Sequence, residues 1–135
     1  MRRITGVAGV AAAVLAAGAL ALAGSAPAYA ATVVTPIGTV GAEQYQGAYC
    51  DDFGADVLVT VTGGRPSTTY TAHATGFGTG PVAFTTDAAG AGSVRVHNVT
   101  TPSGSGIGTA TVLVSASPYT TAVTAEINCP GNKGD

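Results

Sequence analysis

The stretch Asp56-Val57-Leu58-Val59-Thr60-Val61-Thr62-Gly63-Gly64 decides the fold. Val57, Val59 and Val61 fall on one side of an extended chain, polar threonines fall largely on the other, and the glycine pair ends the pattern. A period of two with β-branched residues is the mark of a strand with one buried face. The same period recurs downstream. Residues 69–75 set Tyr70, Ala72 and Ala74 against Thr71, His73 and Thr75, and residues 81–86 offer Val82 and Phe84. After the turn sequence Asp87-Ala88-Ala89-Gly90-Ala91-Gly92, residues 92–99 set Val94 and Val96 opposite Arg95 and His97. Asp and Gly supply the dihedrals that a tight reversal requires. A Thr, Pro, Ser and Gly loop over 100–106 separates these from residues 109–116, with Ala110, Val112 and Val114 inward. Residues 121–129 follow, with Val123, Ala125, Ile127 and Cys129 on the core side.

Upstream, residues 32–40 read as one strand interrupted by Pro36, an edge position because proline cannot donate to a ladder. No segment after residue 30 carries helical periodicity over more than a few residues. About seven short strands separated by Gly and Pro predict an all-β fold, an immunoglobulin-like antiparallel β-sandwich. Barrels share these cues. The strand count and one long-range bridge between early and late parts of the chain favour the sandwich.

Residues 1–30 have the organisation of a signal peptide: Arg2 and Arg3, an Ala, Val, Leu and Gly run over 7–23, then Ala28-Tyr29-Ala30 with small residues where a peptidase reads. Cleavage there would leave residues 31–135 as a single domain, released outside the cell with no membrane attachment. All seven acidic residues lie in that part, with Arg65, Arg95 and Lys133 as its only cations, so its formal charge is 3 − 7 = −4. Without a basic cluster there is nothing to neutralise a run of phosphates, and nucleic acid is excluded as a partner. Solubility of residues 31–135 rests on their 25 Ser and Thr hydroxyls.

Cys50 and Cys129 allow one pairing, and an even count in an oxidising compartment predicts a disulfide. Closing that loop is worth about 4–5 kcal/mol in the chain-entropy treatment.

The strand and turn grammar from Val57 to Ile127 resembles bacterial immunoglobulin-like modules of secreted proteins. Its elements here are Val59-Thr60-Val61-Thr62-Gly63, then Thr69-Tyr70-Thr71, then Thr86-Asp87-Ala88-Ala89-Gly90-Ala91-Gly92 leading into Val94-Arg95-Val96. The last is Gly108-Thr109-Ala110-Thr111-Val112-Leu113-Val114. More distantly, the chain is similar to the neocarzinostatin-like apoprotein family, secreted sandwiches that carry an apolar chromophore in a cleft. That family's pattern has two disulfides where this chain has cysteines for one. The first resemblance implies an extracellular binding module, and the second a small apolar ligand carrier.

Candidate site residues are few. Nucleophilic catalysis needs a Ser or Cys near a His that a carboxylate orients, yet His73 and His97 lie on polar strand faces with no catalytic motif around them. The chain is therefore read as non-enzymatic and without a cofactor. Asp51, Asp52 and Asp56, with Glu43 upstream, gather oxygen ligands that suit Ca²⁺, but at the spacing of no defined calcium loop. A solvated acidic turn is expected instead, and no metal.

The segment 43–53 holds Tyr45, Tyr49 and Phe53, three of the seven aromatics after residue 30. Rings give large contact area at low entropy cost, so these three and Phe77, in a Gly-rich loop, are candidate binding residues. The competing reading packs them around Cys50 as a structural plug. The functional expectation is a secreted, non-catalytic binding module for a protein or glycan. A small apolar ligand carrier and a secreted hydrolase inhibitor are the alternatives.

Overall fold

The computed structural model describes residues 31–76 and 80–131. The leader expectation, residues 1–30, and the candidate Phe77 lie outside the described residues. Two four-stranded antiparallel sheets face each other. The first has the order β1 (Ala31–Thr35), β2 (Gly38–Gln44), β3 (Ala55–Thr62), β6 (Gly92–Val99). The second has β5 (Val82–Thr85), β4 (Thr69–Ala74), β7 (Ile107–Ala116), β8 (Tyr119–Asn128). The sandwich expected from the period-two pattern is present, with eight strands rather than seven. Among the described residues no helix is long and apolar enough to cross a membrane.

The extra strand comes from Pro36. Instead of interrupting one edge strand, Pro36 and Ile37 turn the chain so that β1 folds back antiparallel on β2, with Thr35 opposite Gly38. Proline presets the dihedral of a turn residue, and Gly38 at φ 114° takes a conformation that side chains disfavour. The Thr35 hydroxyl donates to Gly38 O (2.9 Å) and accepts from Ile37 N (3.1 Å), closing the hairpin.

The inner faces are those the alternation specifies. Val57, Val59 and Val61 of β3 and Val40 and Ala42 of β2 meet Ala72 and Ala74 of β4, Ala110, Val112 and Val114 of β7, and Val123, Ala125 and Ile127 of β8, all buried. Burying each such valine contributes about 1.5–3 kcal/mol at most. Tyr70 is the largest fully buried side chain, and its ring packs on Phe84 with centroids 5.6 Å apart. Its hydroxyl donates to Ile37 O (2.8 Å) and accepts from Arg65 N (2.9 Å), so the phenol is satisfied at the point where the sheets approach. The turn after β5 runs so close to the loop after β3 that a Cβ on Gly90 would stand 2.1 Å from Gly64 O.

The Cys50–Cys129 disulfide joins the loop before β3 to the end of β8 across 79 residues. Cys129 is buried and Cys50 exposed. Gln44, only 2% exposed, fills the space beside the bridge. Its Nε2 donates to Tyr49 O (3.0 Å) and lies 3.2 Å from Cys129 Sγ, and its Oε1 accepts from Asn128 N (2.8 Å).

Candidate functional site

Arg95 and Asp56 sit on the outer face of the first sheet, where β3 and β6 run side by side. Val57 pairs with Val96 and Ala55 with Val99, so Asp56 alone stands opposite both His97 and Asn98. This is a β-bulge, and it re-aims side chains. His97 lies on the surface by parity with Arg95, and the extra residue returns Val99 to the core and puts Asn98 at φ 57°. Asn98 then clamps the neighbouring loop: its N–H donates to Asp51 Oδ2 (3.0 Å) and its Oδ1 accepts from Phe53 N (3.3 Å). Gly54 makes the close approach possible, since a Cβ there would lie 2.4 Å from Val99 O.

The Asp56 side chain is fully buried, which overturns the expectation of a solvated acidic turn at 51–56. A buried carboxylate requires partners, and Arg95 supplies them, with Nη2 2.5 Å from Oδ2 and Nε 3.2 Å from both oxygens. That fork holds the Arg95 guanidinium above its already high ordinary pKa. The guanidinium is also capped by rings. Its Cζ is 3.9 Å from the Tyr45 ring centroid and 5.4 Å from that of Tyr49, and the two rings meet edge to face at 5.9 Å. Tyr45 begins a short 3-10 turn, Tyr45–Gly47, and the Tyr49 N–H donates back to Tyr45 O (2.9 Å). His97 Nδ1 completes the cluster, 3.2 Å from Asp56 Oδ2 and 3.5 Å from Asp51 Oδ2.

Of the candidate residues, the structure thus brings Tyr45 and Tyr49 together on the surface, stacked over Arg95, while Phe53 lies half-buried on the adjoining loop. The side-chain amide beside the disulfide belongs to Gln44, 3.2 Å from Cys129 Sγ. Sequence reading placed Arg95 and His97 on one strand face but missed that Asp51 and Asp56 converge on them. Gln44 was missed although its parity with Val40 and Ala42 on β2 points it inward.

The opposite sheet's outer face carries two shallow depressions of about 410 and 390 Å³. One is lined by His73, Thr75, Thr111 and Leu113 and the other by Thr69, Thr71, Ser115 and Tyr119. His73 and His97 therefore lie on opposite faces of the molecule. Set beside known proteins, the chain matches no protein family, no curated protein and no solved structure.

Proposed function

We propose that the chain is an exported, non-catalytic binding module of immunoglobulin-like type that engages a protein or glycan at or outside the cell surface. Its contact surface is the outer face of the first sheet around Tyr45, Tyr49 and Arg95. One observation carries this reading: a guanidinium with 38% of its side chain exposed is locked between a buried carboxylate and two tyrosine rings. Arg and Tyr are the residue types that dominate binding hot spots, and fixing them before contact lowers the entropy lost on association. The packed inner faces support surface binding over carriage of an apolar ligand between the sheets.

The test is native mass spectrometry of the full-length gene product recovered from its own culture medium, alongside Tyr49→Ala and Arg95→Gln variants. A mature mass lacking residues 1–30, with no free thiol and a macromolecular partner that both variants lose, supports the reading. A co-purifying small apolar mass assigns carriage instead, and a bound hydrolase held equally by both variants assigns inhibition. Retention inside the cell overturns export.

A further inference from the structure

We propose that Asp51, Asp56 and His97 form a surface site for a divalent transition-metal ion of the zinc class. The inference stands independently of the binding reading above.

One carboxylate oxygen from each aspartate and one imidazole nitrogen all lie within 4.8 Å of one another. His97 Nδ1 is 3.2 Å from Asp56 Oδ2 and 3.5 Å from Asp51 Oδ2. Zinc binds imidazole nitrogen and carboxylate oxygen at about 2.0–2.2 Å, so the edges of a tetrahedral site measure about 3.3–3.6 Å. The His97–Asp51 separation of 3.5 Å lies within that edge, and the His97–Asp56 separation of 3.2 Å is just short of it. They are longer than the 2.7–2.9 Å typical of a charge-assisted N–H···O contact.

The supports of these ligands come from rigid parts of the fold. Asp56 is on a central strand, fully buried and oriented by the Arg95 fork. Outer groups that orient a ligating carboxylate in this way set its affinity. Asp51 is held by Asn98 N and by its own N–H to Gly54 O (2.7 Å). His97 faces outward on β6 by parity with Arg95 and is 58% exposed, which gives an ion an entry path. The donor set selects the ion: two oxygens and one imidazole suit zinc-class divalent ions, whereas Ca²⁺ takes about six to eight oxygens. Arg95 opposes the ion by charge, since it shares Asp56, and this sets the site below the affinity of an all-anionic one. Three protein ligands leave a fourth position open to water or to a group on a partner.

The experiment is a calorimetric titration of ZnCl₂ into the untagged, disulfide-bonded protein in a weakly coordinating buffer, with nitrogen NMR of the imidazoles. The expected result is one zinc per chain, a shift confined to the His97 ring, and at least about tenfold weaker binding in His97→Ala and Asp51→Asn. His73→Ala leaves binding unchanged. His97 is exposed, so His97→Ala folds, and its retained thermal transition shows that the loss is local. No zinc uptake at millimolar concentration overturns the proposal and leaves an ion-pair triad only. Equal binding by His97→Ala, or Ca²⁺ bound as tightly as zinc, overturns it too.

Discussion

The Tyr70 hydroxyl lies 2.8 Å from the carbonyl oxygen of Ile37, so a strand of one sheet is tied to the first hairpin of the other. The Tyr70 hydroxyl oxygen in turn accepts the Arg65 N–H at 2.9 Å. Tyr70→Phe keeps the ring and its contact with Phe84 but leaves Ile37 O and Arg65 N without this partner. An orphaned buried polar group costs about 1–3 kcal/mol. Urea unfolding of Tyr70→Phe is expected to show a lower midpoint with an unchanged slope.

Gly90→Ala is expected to be among the most damaging single substitutions in the chain. Gly90 has φ 79°, and the added methyl would meet the Gly64 carbonyl at 2.1 Å. Positive φ and backbone overlap together cost about 3 kcal/mol or more. Gly80→Ala, with open space around its Cβ, is expected to leave the midpoint where it was. Equal stability of the two variants would contradict this account.

Asp87 gives the fold an acid dependence. Its Oδ1 accepts from Ala91 N (3.0 Å) and Ala89 N (2.8 Å), and these bonds, Ala91 first, hold its carboxyl below the usual 3.8. A depressed folded pKa contributes stability that is present above about 3.8, the unfolded value, and is lost as the pH falls through the folded one. Asp87→Asn keeps an acceptor and loses the charge. Its thermal midpoint is expected below the parent's at pH 6, with the gap closing as the pH falls below about 3.8.

Removing the bridge by Cys50→Ser with Cys129→Ser is expected to cost about 4–5 kcal/mol, because the open loop spans 79 residues. Guanidinium unfolding against the oxidised parent measures it. A cost below about 1 kcal/mol would show that the reduced chain keeps its ends together by other contacts.

The inner faces could be read from the chain because period-two burial is local: Val57, Val59 and Val61, or Val112 and Val114, need only their own spacing. The first hairpin could not, since Pro36 both interrupts a strand and starts a turn, and only the pairing of Val33 with Val40 distinguishes the two. The site was half legible. Arg95 and His97 share a face by parity, whereas Asp56 joins them through the pairing of β3 with β6, which no local pattern encodes. Asp56 reads as a solvated charge until its cation arrives from a strand 39 residues later. Gln44 reads as polar surface for the same reason, its partners Asn128 and Cys129 lying 84 and 85 residues away.

The unequal surroundings of the two sulfurs decide how the bridge responds to a reductant. An incoming thiolate reaches the Cys50 side, so the departing sulfur is that of Cys129, which would have to leave as an anion from a buried position in the core with the Gln44 amide as its polar neighbour among the described residues. A leaving group that resists ionisation slows exchange. The covalent tie is thereby guarded by kinetics as well as by equilibrium, and brief contact with cellular thiols would leave the molecule intact.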